Sequence, residues 1–291
     1  MEISIIIPSY NQPHSIENCL KSLLKQQTTF EYEIIIVDSS KPNVQAVISE
    51  ICTLSNKIHL IKRKEQTFPG AARNIGIKNA KGKIIALIDS DCVALEGWIE
   101  NIGRNVKDNL IVSGVIENGT PKNIFGTCSY LIEFNHFTPF KARVKTSKMA
   151  ATCNFATKRS TFDRLGYFSH YRAFEDMLFC KKFIEITTGQ IKLFSDIRIK
   201  HINRTDLSHV LNNQRLLGKY SAIARKEYKM PPQVILNNSW LTFLLIPFRY
   251  FSILSRLFFT KNLTVFLFYS PIIIYILFYW SKGFREGASL K

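Results

Sequence analysis

Lys83-Ile84-Ile85-Ala86-Leu87-Ile88-Asp89-Ser90-Asp91 is the stretch that decides the fold. Ile84 to Ile88 is a short, unbroken apolar run, the pattern of a strand buried on both faces. It ends abruptly on two carboxylates that flank one small residue. Toward the N-terminus the same figure recurs. Ile3 to Ile7 is apolar and β-branched, and Pro8 stops it. Glu33 to Val37 is a second run, closed by Asp38, and Ile58 to Ile61 is a third. Between them lie helical patterns. Ile16, Cys19, Leu20, Leu23 and Leu24 make one stripe behind Ser15, a capping residue. Val44 to Leu54 is helical, and Pro69 to Ala80 opens on Pro-Gly, a helix start, with Gly82 as the turn that follows. Buried strands alternating with helices predict an α/β fold: a parallel sheet with helices on both faces. Ligands of such sheets bind outside the carboxyl ends of the strands. Asp38 and Asp89 both lie at such ends, so they should converge on one crevice.

C-terminal to the deciding strand the pattern loosens. Ile111 to Tyr171 holds strand-like pieces and a short helix near Arg159 to Leu165. Glu175 to Ile186 reads as a helix with Glu-Asp in its first turn, where the helix dipole favours acids. Ser195 to Lys200 is strand-like and leads to His201. Leu207 to Lys229 is basic and helical, and Pro231-Pro232 is a linker. Beyond it, Ser239 to Phe259 carries Arg249 and Arg256 on one helical face. Charges near the middle of a span are costly, so this segment reads as an amphipathic helix lying in the membrane plane. Leu263 to Trp280 is eighteen residues without a charge, near the minimum for a bilayer span, and Trp280, Lys282 and Arg285 would mark an interface. Spanning and in-plane placement stay open, as does a pair of buried core helices. The expected organisation is a catalytic domain over residues 1–230 and a membrane-associating tail of apolar and amphipathic helices over 231–291.

Charge supports that division. The chain carries a formal charge of +17, and about half of it falls after residue 214, where eleven Lys and Arg face only Glu227 and Glu286. Such a concentration needs an anionic partner. Its interleaving with long apolar runs favours an anionic membrane surface over nucleic acid. The six cysteines form no C-x-x-C pair, the usage of reduced core thiols in the cytosol. The N-terminus lacks a positive n-region and reads as a strand, not a signal peptide. The catalytic part is therefore expected at the cytoplasmic face of the cell membrane.

Three constellations carry chemistry. Asp89-Ser90-Asp91 offers hard oxygen ligands suited to Mg²⁺ or Mn²⁺. Alone the pattern is common in solvated turns; its place after a buried strand strengthens it. Glu175-Asp176 could supply a general base, or only an ordinary acidic helix start. His201 could be a metal's imidazole ligand or a phosphate partner, though a lone histidine is more often structural.

Taken in order, Pro8-Ser9-Tyr10-Asn11, Ile36-Val37-Asp38-Ser39-Ser40, Gly70-Ala71-Ala72-Arg73-Asn74-Ile75-Gly76, Asp89-Ser90-Asp91 and Phe174-Glu175-Asp176 resemble the motifs of family 2 glycosyltransferases of the GT-A fold. The resemblance covers roughly residues 1–220, and Trp280-Ser281-Lys282-Gly283-Phe284-Arg285-Glu286-Gly287 resembles the membrane-associated tails of some bacterial members. It implies inverting transfer from a nucleoside diphosphate sugar to a hydroxyl acceptor, for which a membrane tail suits a lipid-linked one. By this resemblance Pro8, Tyr10 and Asp38 line the nucleoside pocket, and Arg73 sits near the nucleotide. Asp89 and Asp91 hold the ribose or the diphosphate through the metal, Asp176 is the base, and His201 fits a late metal-binding histidine. Processive members carry Q-x-x-R-W after the acidic pair, and Asn212-Asn213-Gln214-Arg215-Leu216 is no such motif, which argues against a polymer synthase. Two other readings remain: a nucleotidyltransferase, and a non-catalytic membrane-bound nucleotide-sugar binder.

Overall fold

Residues 1–290 are described by a computed structural model. They form two units: Met1–Glu117 with Pro139–His201, and Asn118–Thr138 with the chain from Ile202 onward.

The first unit is built on a sheet. In chain order come β1 (Ile3–Ser9), α1 (Pro13–Leu24), β2 (Tyr32–Asp38), α2 (Pro42–Ile51), β3 (Ile58–Lys62), α3 (Pro69–Asn79), β4 (Ile84–Ile88), β5 (Cys92–Ala94), α4 (Trp98–Asn105) and β6 (Leu110–Asn118). Helix α5 (Ile124–Glu133) belongs to the second unit, and the chain then returns as β7 (Val144–Ser147), β8 (Asn154–Lys158), α6 (Arg159–Leu165), α7 (Glu175–Thr187) and β9 (Gln190–His201). The strand order is β3-β2-β1-β4-β8-β6-β9-β5, with β7 beside β9.

Strands β1, β2 and β4 are buried almost throughout because both sheet faces are covered. Side chains alternate across a strand. Ile6, Ile35, Val37, Ile85 and Leu87 therefore share one core with Ala72 and Ile77 of α3 and Phe162, Phe179 and Phe183 of α6 and α7, while Ile5 and Ile7, also fully buried, face the other way. Each such residue contributes about 1.5–3 kcal/mol of burial, which makes the sheet a rigid base for the loops at its carboxyl ends. Helix α3 lies so near β1 that a Cβ on Gly76 would come within 2.4 Å of Ile6.

The expectation of a parallel sheet holds only for β3-β2-β1-β4. Beyond β4 the sheet turns antiparallel: β8 pairs with β4 and with β6, and β5 and β7 pair with β9. These later strands include three- to five-residue pieces, too short to show a repeating apolar run.

The second unit is helical: α5, α8 (Leu207–Glu227), α9 (Gln233–Asn237), a 3-10 stretch over Ser239–Leu244, α10 (Leu245–Leu257), α11 (Asn262–Phe268) and α12 (Ser270–Ala288). Residues 202–230, assigned from the sequence to the catalytic domain, fall in this unit with the tail. Helices α8 and α12 touch backbone to backbone. A Cβ on Gly218 would stand 2.0 Å from the Trp280 carbonyl oxygen, and one on Gly283 would stand 1.8 Å from that of Arg215.

The tail differs from its sequence pattern in two places. Ser239 to Phe259 is not one helix but a 3-10 stretch followed by α10. Pro247 lies in the first turn of α10, where its missing N–H is tolerated. The uncharged stretch Leu263 to Trp280 is likewise broken: α11 and α12 meet at a 79° bend, and Pro271 opens α12. Among the described residues no single helix is long and apolar enough to cross a membrane; the bent pair passes that test only when taken together. Ile273, Ile276, Leu277, Trp280 and Phe284 of α12 are buried, while Ile274, Tyr275 and Phe278 are exposed.

Candidate active site

The parallel strands deliver their carboxyl ends side by side. Ser9 of β1 pairs with Asp38 of β2, and Ile6 pairs with Leu87, two residues before Asp89. The loops beyond these ends are tied together. Asn11, in the left-handed region at φ 55°, donates its backbone N–H to Ser40 Oγ at 2.7 Å and accepts from the Lys41 N–H at 3.0 Å. Asp38 is fully buried and accepts from Ser40 Oγ at 2.6 Å, from the Ser40 N–H at 3.2 Å and from Gln45 Nε2 at 3.2 Å. Its carboxylate braces the loop from within. Tyr10, by contrast, is 40% exposed, and Pro8 precedes it at the strand end.

Arg73, five residues into α3, joins two distant acids. Its guanidinium donates to Asp89 Oδ1 at 2.5 Å and to Glu175 Oε1 at 2.8 Å. The residue is buried, as is Glu175, while the Asp89 side chain is 28% exposed. Burial works against the Arg73 charge, but Asp89 and Glu175 outweigh it and hold the guanidinium above its ordinary value. Arg73 Nε is buried without a hydrogen-bond partner. The approach of Glu175 also explains Gly70: a Cβ there would lie 3.0 Å from the Ser169 carbonyl oxygen and 3.2 Å from Glu175 Cγ.

Phe174 starts α7 from the left-handed region at φ 79°, a conformation that is costly for a bulky residue and recurs at functional sites. Asp176 follows Glu175 and accepts from the Met177 N–H at 2.7 Å. Both carboxyls titrate above their ordinary values. Burial is the main cause for each. Arg73 opposes it in both, the Met177 N–H opposes it in Asp176, and the Asp89 charge adds to the rise.

Asp91 meets His201 through the sheet. The register sets Cys92 of β5 opposite His201 of β9, more than a hundred residues away. His201 Nε2 lies 3.6 Å from Asp91 Oδ1, and Cys92 Sγ lies 3.8 Å from the same oxygen. The ligand atoms of Asp91, Cys92 and His201 all lie within 4.8 Å of one another. Two ligands at roughly 2.1 Å from one ion sit about 3–4 Å apart, so the donor set fits a cation. Burial raises the Cys92 thiol well above its usual range, with Cys153 and Asp91 adding to the rise, so ligation by sulfur would release a proton. Asp89, expected beside Asp91 as a ligand, instead turns one oxygen to Arg73 and is not in this group. Sequence reasoning missed Cys92, Asn11, Ser40 and Gln45. For Cys92 the signal was its place directly after Asp91; for the others it was their place in the loops after β1 and β2.

A half-parallel sheet with carboxylates at its strand ends, facing an acidic helix start, is the GT-A-like architecture. PcManGT, a mannosyltransferase from Pyrobaculum calidifontis solved with GDP-Man and Mn²⁺, superposes with a TM-score of 0.62 at 15% identity, over 99% of this chain and 86% of its own. Staphylococcus aureus TarS 1-349, solved with UDP-GlcNAc, superposes with a TM-score of 0.55 at 15% identity, over 99% of this chain and 90% of its own. At such identity these likenesses show the fold. Residues 4–166 match the model of Glycosyl transferase family 2. The chain belongs to that family. Glycosyltransferase AglE of Haloferax volcanii is 27% identical over 175 residues, which is 58% of this chain and 56% of AglE; the chain thus spans little more than half the length of this relative.

Proposed function

We propose that this glycosyltransferase moves a sugar from a nucleoside diphosphate sugar to an acceptor hydroxyl with inversion. The observation that carries the reading is the Arg73 bridge, which links Asp89 at the end of β4 to Glu175 at the start of α7, directly beside Asp176. It fastens the nucleotide end of the crevice to the acidic pair. Asp176 takes the proton of the acceptor hydroxyl as that oxygen bonds to the anomeric carbon, while the bond to the diphosphate breaks and its electrons leave with the diphosphate. One base suffices, because inversion needs no covalent intermediate. Glu175, held by Arg73, positions its neighbour. The donors bound by PcManGT and TarS support a nucleoside diphosphate sugar here. Pro8 and Tyr10 would flank the nucleoside, over the loop that Asp38 braces.

Asp91 and His201 would hold a divalent cation, with Cys92 beside them. A nitrogen and a sulfur among the donors suit Mn²⁺ better than Mg²⁺, which prefers oxygen alone. When bound, the ion would neutralise the diphosphate. The exposed aromatic side chains of the tail, among them Trp240, Phe248 and Phe259, support contact with a membrane and hence a lipid-linked acceptor; the six free cysteines favour its cytoplasmic face. The test is to incubate the full chain with UDP- and GDP-sugars and Mn²⁺ and to measure nucleoside diphosphate release. Release by the wild type and not by Asp176→Asn is expected. Sugar 1-phosphate as the product would indicate a nucleotidyltransferase, and binding without any release would indicate a non-catalytic binder.

A further inference from the structure

The second unit holds a half-buried cation for which the described residues provide no ion-pair partner. Arg249 of α10 lies over the ring of Trp280, its guanidinium carbon 3.9 Å from the centroid, and its Nε is buried without a hydrogen-bond partner. Two further arginines act on it. Arg256, two turns along the same face of α10, donates to Asn135 Oδ1 at 3.0 Å. Arg225 of α8 donates to Ser221 Oγ at 3.2 Å and to the Pro231 carbonyl. Burial and the charges of these two neighbours push Arg249 down to about 10; Glu133 pulls the other way, as the least of the four influences. One oxygen of Glu133 is engaged elsewhere. Its Oε1 already accepts from Ser129 Oγ at 2.8 Å, Gln214 Nε2 at 2.8 Å and Asn213 Nδ2 at 3.2 Å.

A buried charge normally has a partner, because leaving it uncompensated is expensive. Arg249, with no ion-pair partner among the described residues and two arginines acting on it, lacks an anion. Guanidiniums match phosphate oxygens in both charge and geometry. The surroundings indicate which phosphate. Phe248 and Phe251, on either side of Arg249 in sequence, are 70% and 62% exposed, and Phe259 beyond Arg256 is 94% exposed. A soluble nucleotide has no use for such an apolar rim, whereas a lipid does, placing its chain on the aromatic side chains and its head on the arginines.

We propose that Arg249, with Arg256 and Arg225, forms a binding site for the phosphomonoester or diphosphate headgroup of a membrane lipid. The inference rests on the membrane contact proposed above and deepens it: the tail recognises a head as well as an apolar layer. An isoprenoid phosphate and phosphatidic acid present the same chemistry and differ only in the chain.

The test is vesicle flotation of the full chain in three arms: phosphatidylcholine alone, phosphatidylcholine with phosphatidylglycerol, and phosphatidylcholine with phosphatidic acid or an isoprenoid monophosphate, the last two matched in surface charge. The monoester vesicles should bind about tenfold better than the phosphatidylglycerol vesicles, the scale of one charge-assisted hydrogen-bonded contact. Arg249→Gln should bring that ratio close to one. Arg256→Gln, at a more exposed position, gives the same reading should Arg249→Gln fail to fold by circular dichroism. Phe248→Ser with Phe251→Ser should weaken binding to every vesicle and keep the ratio. A wild type that binds no vesicle overturns the membrane reading and this site with it. Equal binding to all anionic vesicles, or a ratio that survives both arginine variants, overturns the site alone. Displacement by millimolar inorganic phosphate with no preference among vesicles would make it a site for a soluble anion and overturn the lipid assignment. An isoprenoid phosphate that binds better than phosphatidic acid would extend recognition to the chain.

Discussion

Two arginines largely removed from water, Arg73 and Arg249, behave in opposite ways. Arg73 in the sheet unit lies between Asp89 and Glu175, and its charge is held firmly despite burial. Arg249 in the helical unit has an aromatic ring, two like charges and a carboxylate with one oxygen engaged elsewhere, and its charge is weakened. The cost of taking a guanidinium out of water is similar in kind, so the difference lies in what each meets. Arg73 is complete in the protein alone and stiffens the proposed catalytic site. Arg249 is incomplete in the protein alone, as a binding site is before its ligand arrives.

The largest expected effect lies beside Arg73. Asp176→Asn should lower kcat roughly 10²–10⁴-fold, the usual scale for loss of a general base, and leave nucleotide-sugar affinity nearly intact. Steady-state kinetics with the best donor would decide it. An equal loss from Glu175→Gln, with Asp176→Asn mild, would exchange the roles of base and positioning residue.

Stability without lipid should separate the two arginines next. Arg73→Met leaves two carboxylates facing each other in the interior and should cost about 3–5 kcal/mol. Arg249→Met removes a cation that has no ion-pair partner among the described residues. Loss of its contact with Trp280 offsets part of that relief, so the net change should stay within about 1 kcal/mol of either sign. Urea unfolding of both variants measures the two values. Similar losses would mean that Arg249 is as well compensated as Arg73.

Much of the sheet unit was legible because its signals are local. The runs Ile3 to Ile7, Glu33 to Val37 and Ile84 to Ile88 became β1, β2 and β4, and the acidic start at Glu175 begins α7. What was not legible depends on distant pairing. Nothing near His201 indicates that it lies opposite Cys92, and nothing near Gly283 indicates that it meets the backbone of Arg215. Helix α5 was missed because it is buried nearly all round and shows no amphipathic stripe; only its Asn123 cap, which accepts from the Gly126 N–H, marks its start. Arg249 and Arg256 were expected on one face of an amphipathic helix. The pattern could not reveal that the ring of Trp280 would cover one of them.

The acidic pair makes a prediction in pH. Burial raises both carboxyls above their ordinary values, and Arg73 holds that rise in check. A base works only when ionised, so kcat should fall as pH drops through this raised value, at a higher pH than for a free carboxylate. Arg73→Gln removes the check and should move the acid limb higher still. Stability has the opposite sign. A carboxyl raised on folding contributes its stability below the unfolded value and loses it as pH rises through the folded one. Wild-type stability should therefore decline with rising pH across the range just above ordinary carboxylate values, where the rate is climbing. An acid limb at the ordinary carboxylate position would show that the pair is solvated in the working enzyme.

The smallest expected effect concerns the metal, and it follows from the same pull. Because Arg73 draws Asp89, the group around Asp91 and His201 gains a thiol where a second carboxylate was expected. Cys92 is either a ligand or an inert core residue that happens to adjoin one. Its burial and high thiol pKa argue for a weak ligand, so its removal should be felt modestly. Cys92→Ser replaces sulfur with a hard oxygen at similar volume. If sulfur takes part, activity should shift toward Mg²⁺ relative to Mn²⁺ by a few-fold, about 1 kcal/mol or less. Cys92→Ala controls for packing, and the readout is the ratio of metal affinities from nucleotide-dependent titration, which a general loss of stability would leave unchanged. Asp91→Asn should abolish metal dependence under the same assay. An unchanged ratio in Cys92→Ser would leave Asp91 and His201 as the cation's protein ligands and return Cys92 to the core.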